Sequence, residues 1–188
     1  MKEFNLTGTL RKEYGKKAAK GLRKQELVPC NLYGNGENIT FTVNVNDVRK
    51  LIYTPDTLIV NLSIEGKEYK AVVKELQFHP VSEALLHIDF LQVTEDKPVT
   101  VAIPVQLEGH AEGVKAGGKL QLVTRKLKVK AIYTYLPDRI VIDVTPLGLG
   151  KKLQVADLHF DNIEITNVKT QIVAQVKATR QSAQAAAE

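Results

Sequence analysis

His87 and Asp89 are the two side chains in this sequence best spaced to do acid–base chemistry together. They stand two residues apart in Ala84–Val93, ALLHIDFLQV, where apolar residues alternate as in a β-strand. Residues i and i+2 of a strand lie about 6.5–7 Å apart on one face, so Asp89 could orient His87 as a general base. The apolar members of the run share the other face and must be buried: Leu86, Ile88 and Phe90. We therefore expect His87 and Asp89 to point outward, and no serine or cysteine nucleophile motif accompanies them.

Other signs of catalysis are weak. The four histidines have no metal-ligand spacing. The run Gly148–Lys152, GLGKK, lacks the frame of a phosphate-binding loop and is better explained as a glycine turn with a basic rim. Cys30 is the only cysteine and follows Pro29 in an apolar run, so a buried small hydrophobe is favoured over a nucleophile. We expect a protein that is not an enzyme and has no metal site and no cofactor.

The basic charge is concentrated in one stretch near the N-terminus, within Thr9–Gly34. Residues 1–24 hold eight lysine or arginine residues against two acids and sum to +6, whereas the other 164 residues sum to −1. A localised basic patch predicts a polyanionic partner, most simply nucleic acid. A solvated basic helix without a partner is the alternative on charge alone. The basic residues are Lys2, Arg11, Lys12, Lys16, Lys17, Lys20, Arg23 and Lys24.

Composition favours a β-rich protein of the cytoplasm. The apolar residues lean towards valine, isoleucine and leucine, and threonine is frequent. The chain has no tryptophan and few other aromatic residues, which argues against wide base-stacking platforms. We see no signal peptide and no apolar run near 18 residues, so we expect no membrane partner. The single cysteine fits a reducing cytosol.

Apolar alternation and turn residues predict a mainly β chain with two short helices in its first half. A polar segment ending in Pro98 divides the two sets of strand signals, giving domains at residues 1–94 and 99–178, a linker at 95–98 and a disordered tail at 179–188. Helices are expected over Lys16–Leu27 and from Asn44 or Asn46 to Tyr53. Strands are expected at Glu3–Leu10, Val28–Tyr33, Ile39–Val43, Thr57–Ile64, Glu68–Phe78, Ala84–Val93, Val99–Leu107, Leu120–Val123, Leu127–Tyr133, Arg139–Val144, Ile163–Ile165 and Thr170–Lys177. A glycine-rich loop is expected at Glu108–Gly118, and a helical turn at Val155–Leu158.

A series of short motifs, each unspecific alone, becomes specific in combination. In the first half these are Arg11-Lys12-Glu13, Gly15-Lys16, Leu22-Arg23, Pro29, Tyr33-Gly34, His79-Pro80 and His87-Ile88-Asp89-Phe90. In order and spacing they resemble the family of bacterial large-subunit ribosomal proteins that bind 5S ribosomal RNA, also known as the general stress protein Ctc family. The run Gly113–Gly118 and Ile142-Asp143-Val144 are similar to the second domain of the family's long form, so the resemblance extends to about residue 178.

The resemblance implies the fold and the RNA contacts. It implies an N-terminal small β-barrel with short helices plus a second β-rich domain, in which the barrel reads an irregular internal loop of 5S ribosomal RNA mainly through the minor groove. Carried over to this chain, it implies RNA contacts by Arg11, Lys20, Arg23, Tyr33, His87 and Asp89. The patch residues Lys12, Lys16 and Lys17 and the motif residue His79 complete the expected RNA-binding set. Lys20 stands where the family often has arginine, and Gly21 where it often has a second basic residue.

We therefore expect a structural component of the large ribosomal subunit that binds 5S ribosomal RNA, with neighbouring ribosomal proteins as further candidate partners. The alternative is a cytosolic β-domain protein that binds another protein or a small ligand, with the basic arm incidental. Salt dependence separates the two, because only phosphate binding releases counterions in proportion to the contacts made.

Overall fold

The computed structural model describes residues 2–94 and 97–179. Two residues of the expected linker, 95 and 96, and residues 180–188 of the expected tail lie outside this range. The chain divides into two compact units: Met1–Val101 with Ile132–Asp138, and Ala102–Ala131 with Arg139–Glu188. Mainly β structure is confirmed in both.

The first unit is built on a closed barrel of six strands in the order β1-β3-β2-β6-β5-β4. Its elements are β1 Glu3–Leu10, α1 Lys16–Lys24, β2 Leu27–Tyr33, β3 Asn38–Asn44, α2 Val45–Tyr53, β4 Ile59–Ile64, β5 Lys67–Phe78 and β6 Leu85–Gln92. Two neighbouring pairs run parallel, β1 with β4 and β2 with β6, and the other neighbours run antiparallel. The expected N-terminal barrel with short helices is confirmed.

Apolar alternation fills the barrel. Ile88 and Phe90 are fully buried, and the ring of Phe90 lies 5.7 Å from that of Phe41, centroid to centroid. Each such side chain contributes roughly 1.5–3 kcal/mol by its burial. Gly8 has no room for a side chain, because a Cβ there would stand 2.5 Å from Cδ2 of Phe41.

The second helix, α2, begins at the predicted cap, where the side chain of Asn44 accepts a hydrogen bond from the backbone N–H of Asn46.

The prediction that Leu86 lies on the core face is wrong. The register of β5 against β6 shifts between Gln77 and Phe78, which face His87 and Leu85 respectively. Leu86 is therefore an extra residue in the ladder, and Leu85 packs against the core in its place. A bulge of this kind inverts the alternation locally, and a sequence pattern of period two does not reveal it.

Cys30 is fully buried in β2, as the sequence predicts. Burial, and secondarily the carboxylate of Asp89, raises the pKa of the Cys30 thiol far above its ordinary value. We expect Cys30 in the folded chain to resist iodoacetamide at mildly alkaline pH, and to react fully once the chain is unfolded in guanidinium chloride. Mass spectrometry of the alkylated chain checks this. Equal labelling rates with and without denaturant would contradict the burial.

The second half of the chain forms two further sheets. Its elements are β7 Val99–Glu108, α3 Glu112–Lys115, β8 Lys119–Leu122, β9 Lys126–Ala131, a 3₁₀-helix Tyr133–Tyr135, β10 Ile140–Asp143, β11 Lys152–Gln154, a 3₁₀-helix Val155–Asp157, β12 Glu164–Ile165 and β13 Ile172–Lys177. One sheet has the order β10-β7-β9-β12 and the other the order β11-β13-β8. The second β-rich region is confirmed.

Three local predictions in this half need correction. The glycine-rich segment Glu108–Gly118 is not all loop, because it contains α3, whose Gly113 is packed so closely that a Cβ would stand 2.6 Å from the carbonyl carbon of Gly148. The strand predicted to reach Tyr133 stops at Ala131. The sequence pattern missed β11, which is only three residues long and too short to show a period.

No helix within the described residues is long and apolar enough to cross a membrane.

Candidate nucleic-acid interface

The basic helix α1 buries none of its residues fully: Ala18, Ala19 and Leu22 are half-buried, and the others are exposed. It follows Gly15, which has φ 95° and provides no side-chain cap, and it has no acidic residue in its first turn. Lys16 and Lys17 occupy that first turn, where positive charge opposes the helix dipole. Helix stability therefore does not explain these lysines. The five basic side chains, all exposed, are Lys16, Lys17, Lys20, Arg23 and Lys24.

Arg23 ties this helix to the barrel. Its Nε and Nη2 donate hydrogen bonds to the backbone carbonyl of Leu86, at 3.2 and 3.0 Å. The carbonyl belongs to the bulged residue of β6, which lies outside the regular ladder. Arg23 thus sets the basic helix beside the strand that carries His87 and Asp89.

Arg11 is held in a tight loop between β1 and α1. Its backbone N–H donates to the carbonyl of Thr40 at 3.1 Å, and its Nη2 donates to the carbonyl of Glu13 at 3.2 Å. The guanidinium lies 5.6 Å from the ring centroid of Tyr14, whose hydroxyl donates to the Arg11 carbonyl and accepts from Thr40. Among the described residues, Arg11 Nε is a buried polar atom with no hydrogen-bond partner.

Strand pairing brings the polar side chains of three strands onto one outer face of the barrel. In the parallel pair β2–β6, Asn31 stands opposite Asp89, and Tyr33 follows two residues later on β2. In the antiparallel pair β5–β6, Glu75 stands opposite Asp89 and Gln77 opposite His87. This face combines hydrogen-bond donors and acceptors with carboxylates, which is unusual next to a basic helix.

His87 and Asp89 are in direct contact on this face. His87 Nδ1 lies 3.2 Å from Asp89 Oδ1, and each side chain is 20% exposed. The predicted outward orientation holds, although both side chains are more covered than ordinary surface residues. With Nδ1 donating to Asp89, the neutral imidazole presents Nε2 as an acceptor and the protonated imidazole presents it as a donor. The cysteine of this chain cannot complete a triad here, because it is buried in β2 and its thiol donates to the Val28 carbonyl.

Tyr33 is kept in its neutral form. Burial, followed by the negative charges of Asp89 and Glu75, raises the pKa of Tyr33 above its ordinary value. The phenol therefore remains a hydrogen-bond donor at neutral pH and through the mildly alkaline range. A donor of this kind suits oxygen atoms of phosphate or ribose.

His79 makes hydrogen bonds within the turn that follows β5. Its Nδ1 accepts hydrogen bonds from the backbone N–H groups of Val81 and Ser82, at 3.3 and 3.2 Å, and thereby closes the turn between β5 and β6. Only Nε2 is left for a ligand. Lys12, also in the expected set, is exposed in the loop that holds Arg11.

Three residues of this surface were missed in the sequence. Tyr14 is 66% exposed and braces Arg11, and its position inside the basic segment was the available signal. Asn31 shares the face of Tyr33 by simple alternation and could have been found in the same way. Glu75 reaches the surface only through the register of β5 on β6, which no local pattern predicts.

A small barrel with a basic helix beside a polar strand face is the arrangement expected of a structural nucleic-acid-binding class of protein. Within the described residues, no group of three or more histidine, cysteine, aspartate or glutamate side chains is arranged to hold a metal ion.

Residues 6–90 match the Ribosomal L25p family, and residues 98–180 match the family described as Ribosomal protein TL5, C-terminal domain. The chain belongs to the bL25 family of large ribosomal subunit proteins, which is structural and not enzymatic.

Relatives named large ribosomal subunit protein bL25 match over nearly their whole length. The chain is 55% identical to one from Porphyromonas gingivalis over 182 residues, covering 96% of this chain and 95% of the relative. It is 50% identical over 194 residues to one from Phocaeicola vulgatus and 46% identical over 192 residues to one from Bacteroides thetaiotaomicron, each match covering 100% of this chain and 98% of the relative. The family resemblance predicted from the motifs is confirmed.

Proposed function

We propose that this chain is a structural component of the large ribosomal subunit in the cytoplasm and binds 5S ribosomal RNA through one surface of its barrel. The barrel surface, as we define it, comprises Arg11, Lys20, Arg23, Tyr33, His87 and Asp89. One observation carries the proposal. The bond from Arg23 to Leu86 sets the basic helix beside the polar face of β2 and β6, so that groups for phosphate and groups for base edges lie together.

The two parts of the barrel surface have different tasks. Arg11, Lys20 and Arg23 contact phosphates, which supply affinity without sequence information. The phenol of Tyr33 donates a hydrogen bond to an oxygen atom of phosphate or ribose. The carboxylate of Asp89 accepts hydrogen bonds from base amino groups or 2′-hydroxyls. The RNA minor groove is wide and shallow and displays such groups, and irregular base pairs add unusual edges. The polar face therefore selects the RNA that the basic residues hold.

We further propose that residues 1–94 carry this activity by themselves. All six residues of the barrel surface lie there, as does the whole six-stranded barrel. Residues 99–178 form the second domain in this proposal, with the linker at 95–98 and the tail at 179–188.

The competing function, binding of a small ligand, has little structural support. A cavity of about 190 Å³ lies between α2 and the start of β6, lined among others by Arg49, Tyr53, Phe78 and Leu85. Sites for small molecules usually measure roughly 300–1,000 Å³. Tyr53 and Phe78 are also largely open to solvent, which leaves little enclosed apolar surface.

Salt dependence tests the proposed function. The full chain is titrated with 5S ribosomal RNA and, as a control, with a plain RNA duplex, each at several salt concentrations. With about five or six phosphates neutralised, log affinity should fall against log salt with a slope of about −4 to −5. At each salt concentration, 5S ribosomal RNA should bind more tightly than the duplex. A flat response, or equal affinity for both RNAs, would favour the competing function.

A further inference from the structure

The second half of the chain carries basic charge that the charge of the whole chain conceals. Residues 98–178 hold eleven lysine or arginine residues against seven acids and sum to +4. Residues 25–97 hold six basic residues against eleven acids and sum to −5, and the two segments nearly cancel. The proposed function does not use this second excess.

Part of this charge converges on one face of the sheet β11-β13-β8. On the inner face Val176 is buried, and Leu120, its partner on β8, packs against the same core. The next residues along both strands must therefore lie on the outer face. The strand register places Lys177 opposite Lys119, Gln175 opposite Gln121, and Lys152 beside Gln175. We call these five residues, Lys119, Gln121, Lys152, Gln175 and Lys177, the lysine–glutamine face.

This face pairs like charges without compensation. Like charges directly opposite each other on neighbouring strands are destabilising, and Lys119 and Lys177 are such a pair. The sequences of β8, β11 and β13 contain no aspartate or glutamate. Lysines often protect the edges of sheets, but β13 is the central strand, so this explanation fails for Lys177. A bound polyanion would turn the repulsion into attraction.

The two glutamines indicate what kind of polyanion fits. Gln175 Nε2 donates to Gln121 Oε1 at 3.3 Å, which fixes an amide pair between the lysines and leaves further donors and acceptors facing outward. Amides of this kind bind ribose hydroxyls and phosphate oxygens, whereas β8, β11 and β13 carry no aromatic side chain on which bases could stack. We propose that the lysine–glutamine face is a second RNA-binding surface, which holds the phosphate and ribose backbone without reading sequence. The choice of RNA over an acidic protein rests on the proposed function, but the charge argument does not.

The test uses the full chain with the substitutions Arg11→Ala, Lys20→Ala and Arg23→Ala, so that the barrel surface contributes little. To this background we add Lys119→Gln, Lys152→Gln and Lys177→Gln. A matched control adds Lys126→Gln, Lys128→Gln and Lys130→Gln instead. The control removes equal charge from β9, where Lys130 already has Glu164 opposite it. The probe is a short RNA duplex unrelated to 5S ribosomal RNA, titrated by fluorescence anisotropy at several salt concentrations.

We expect the lysine–glutamine substitutions to weaken duplex binding by about tenfold and to reduce the salt slope by about two to three, since three phosphate contacts are lost. The control should weaken binding by less than about threefold, because general electrostatic attraction alone is screened by salt. The midpoint of thermal unfolding should hold or rise, since the Lys119–Lys177 repulsion is removed. Polyglutamate should compete for this face less well than RNA does.

Several results would overturn the inference. If the duplex affinity were unchanged, or fell equally in the two triple variants, general electrostatic attraction would explain the binding, and the lysine–glutamine face would not be a site. Equal competition by polyglutamate would assign the face to an acidic protein instead of RNA. A lower unfolding midpoint would contradict the like-charge argument, and the single variant Lys177→Gln would then locate the contact responsible. Failure of 5S ribosomal RNA to bind the unmodified chain selectively would reject the proposed function, yet it would not change the comparison between the two triple variants.

Discussion

Replacing Arg11, Lys20 and Arg23 together with alanine is expected to weaken binding of the full chain to 5S ribosomal RNA by roughly a thousandfold or more. Hydrogen bonds to charged groups contribute about 1.5–3 kcal/mol each, and three are removed. The salt slope should become shallower by about two to three, because fewer counterions are released. Titration of both chains at several salt concentrations measures the two effects.

The same triple variant should remain folded. Arg23 and Lys20 are exposed, and α1 buries none of its residues. The side chain of Arg11 contacts Glu13 and Tyr14 in the loop before α1, outside the barrel core. Exposed charged contacts contribute little to stability. Circular dichroism and thermal unfolding provide this check, and Lys126→Ala, Lys128→Ala and Lys130→Ala provide a control of equal charge. A folded triple variant that binds 5S ribosomal RNA as tightly as the unmodified chain would disprove the role of the basic segment.

The second large effect concerns selectivity. Asp89→Ala is expected to weaken binding to 5S ribosomal RNA by roughly 1–3 kcal/mol, as the loss of a partly buried polar contact does. In the proposed complex the carboxylate would accept hydrogen bonds from base amino groups or 2′-hydroxyls, and in the structure it also holds His87 through Nδ1. Binding to plain duplex RNA should stay level or tighten, because a charge that repels phosphate has been removed. Two titrations at a single salt concentration measure the difference.

Glu75→Ala is the matched control for Asp89→Ala. Glu75 stands opposite Asp89 on the neighbouring strand and also bears on the pKa of Tyr33, so its removal changes the local charge by the same amount. It should leave both affinities level or slightly tighter. If Asp89→Ala changed both titrations in parallel, as Glu75→Ala should, Asp89 would act by charge alone and would not read the RNA.

Local patterns were sufficient for most strands of the barrel. Glu3–Leu10 is predicted and observed with the same bounds, because its alternation is regular and the residues that flank it, Lys2 and Arg11, are charged. The helix ending at Tyr53 is also observed as predicted, since its cap and its apolar face are both local signals. Local patterns did not predict that the strands close into a barrel. The parallel pairs β1–β4 and β2–β6 join strands distant in sequence, and only the family resemblance implied a barrel.

In the candidate site, too, the sequence predicts the features that depend on local alternation and not those that depend on pairing between strands. Alternation alone places His87 and Asp89 on one face, and the structure shows their side chains in contact. The neighbours Asn31 and Glu75 depend on the register between strands, which the sequence does not display. The bulge at Leu86 also escapes the pattern, although it provides the carbonyl that positions Arg23. Register and bulges arise from packing between residues distant in sequence, so a local sequence pattern does not predict these parts of the site.

Crosslinking of large ribosomal subunits purified from the source cell tests the central claim most directly. Ultraviolet light joins RNA to the side chains that contact it, and mass spectrometry identifies both partners. We expect peptides containing Arg11–Arg23, Tyr33 and His87–Asp89 to be crosslinked to 5S ribosomal RNA. Crosslinks from these peptides only to other RNA, or the absence of this chain from the large subunit, would contradict the central claim.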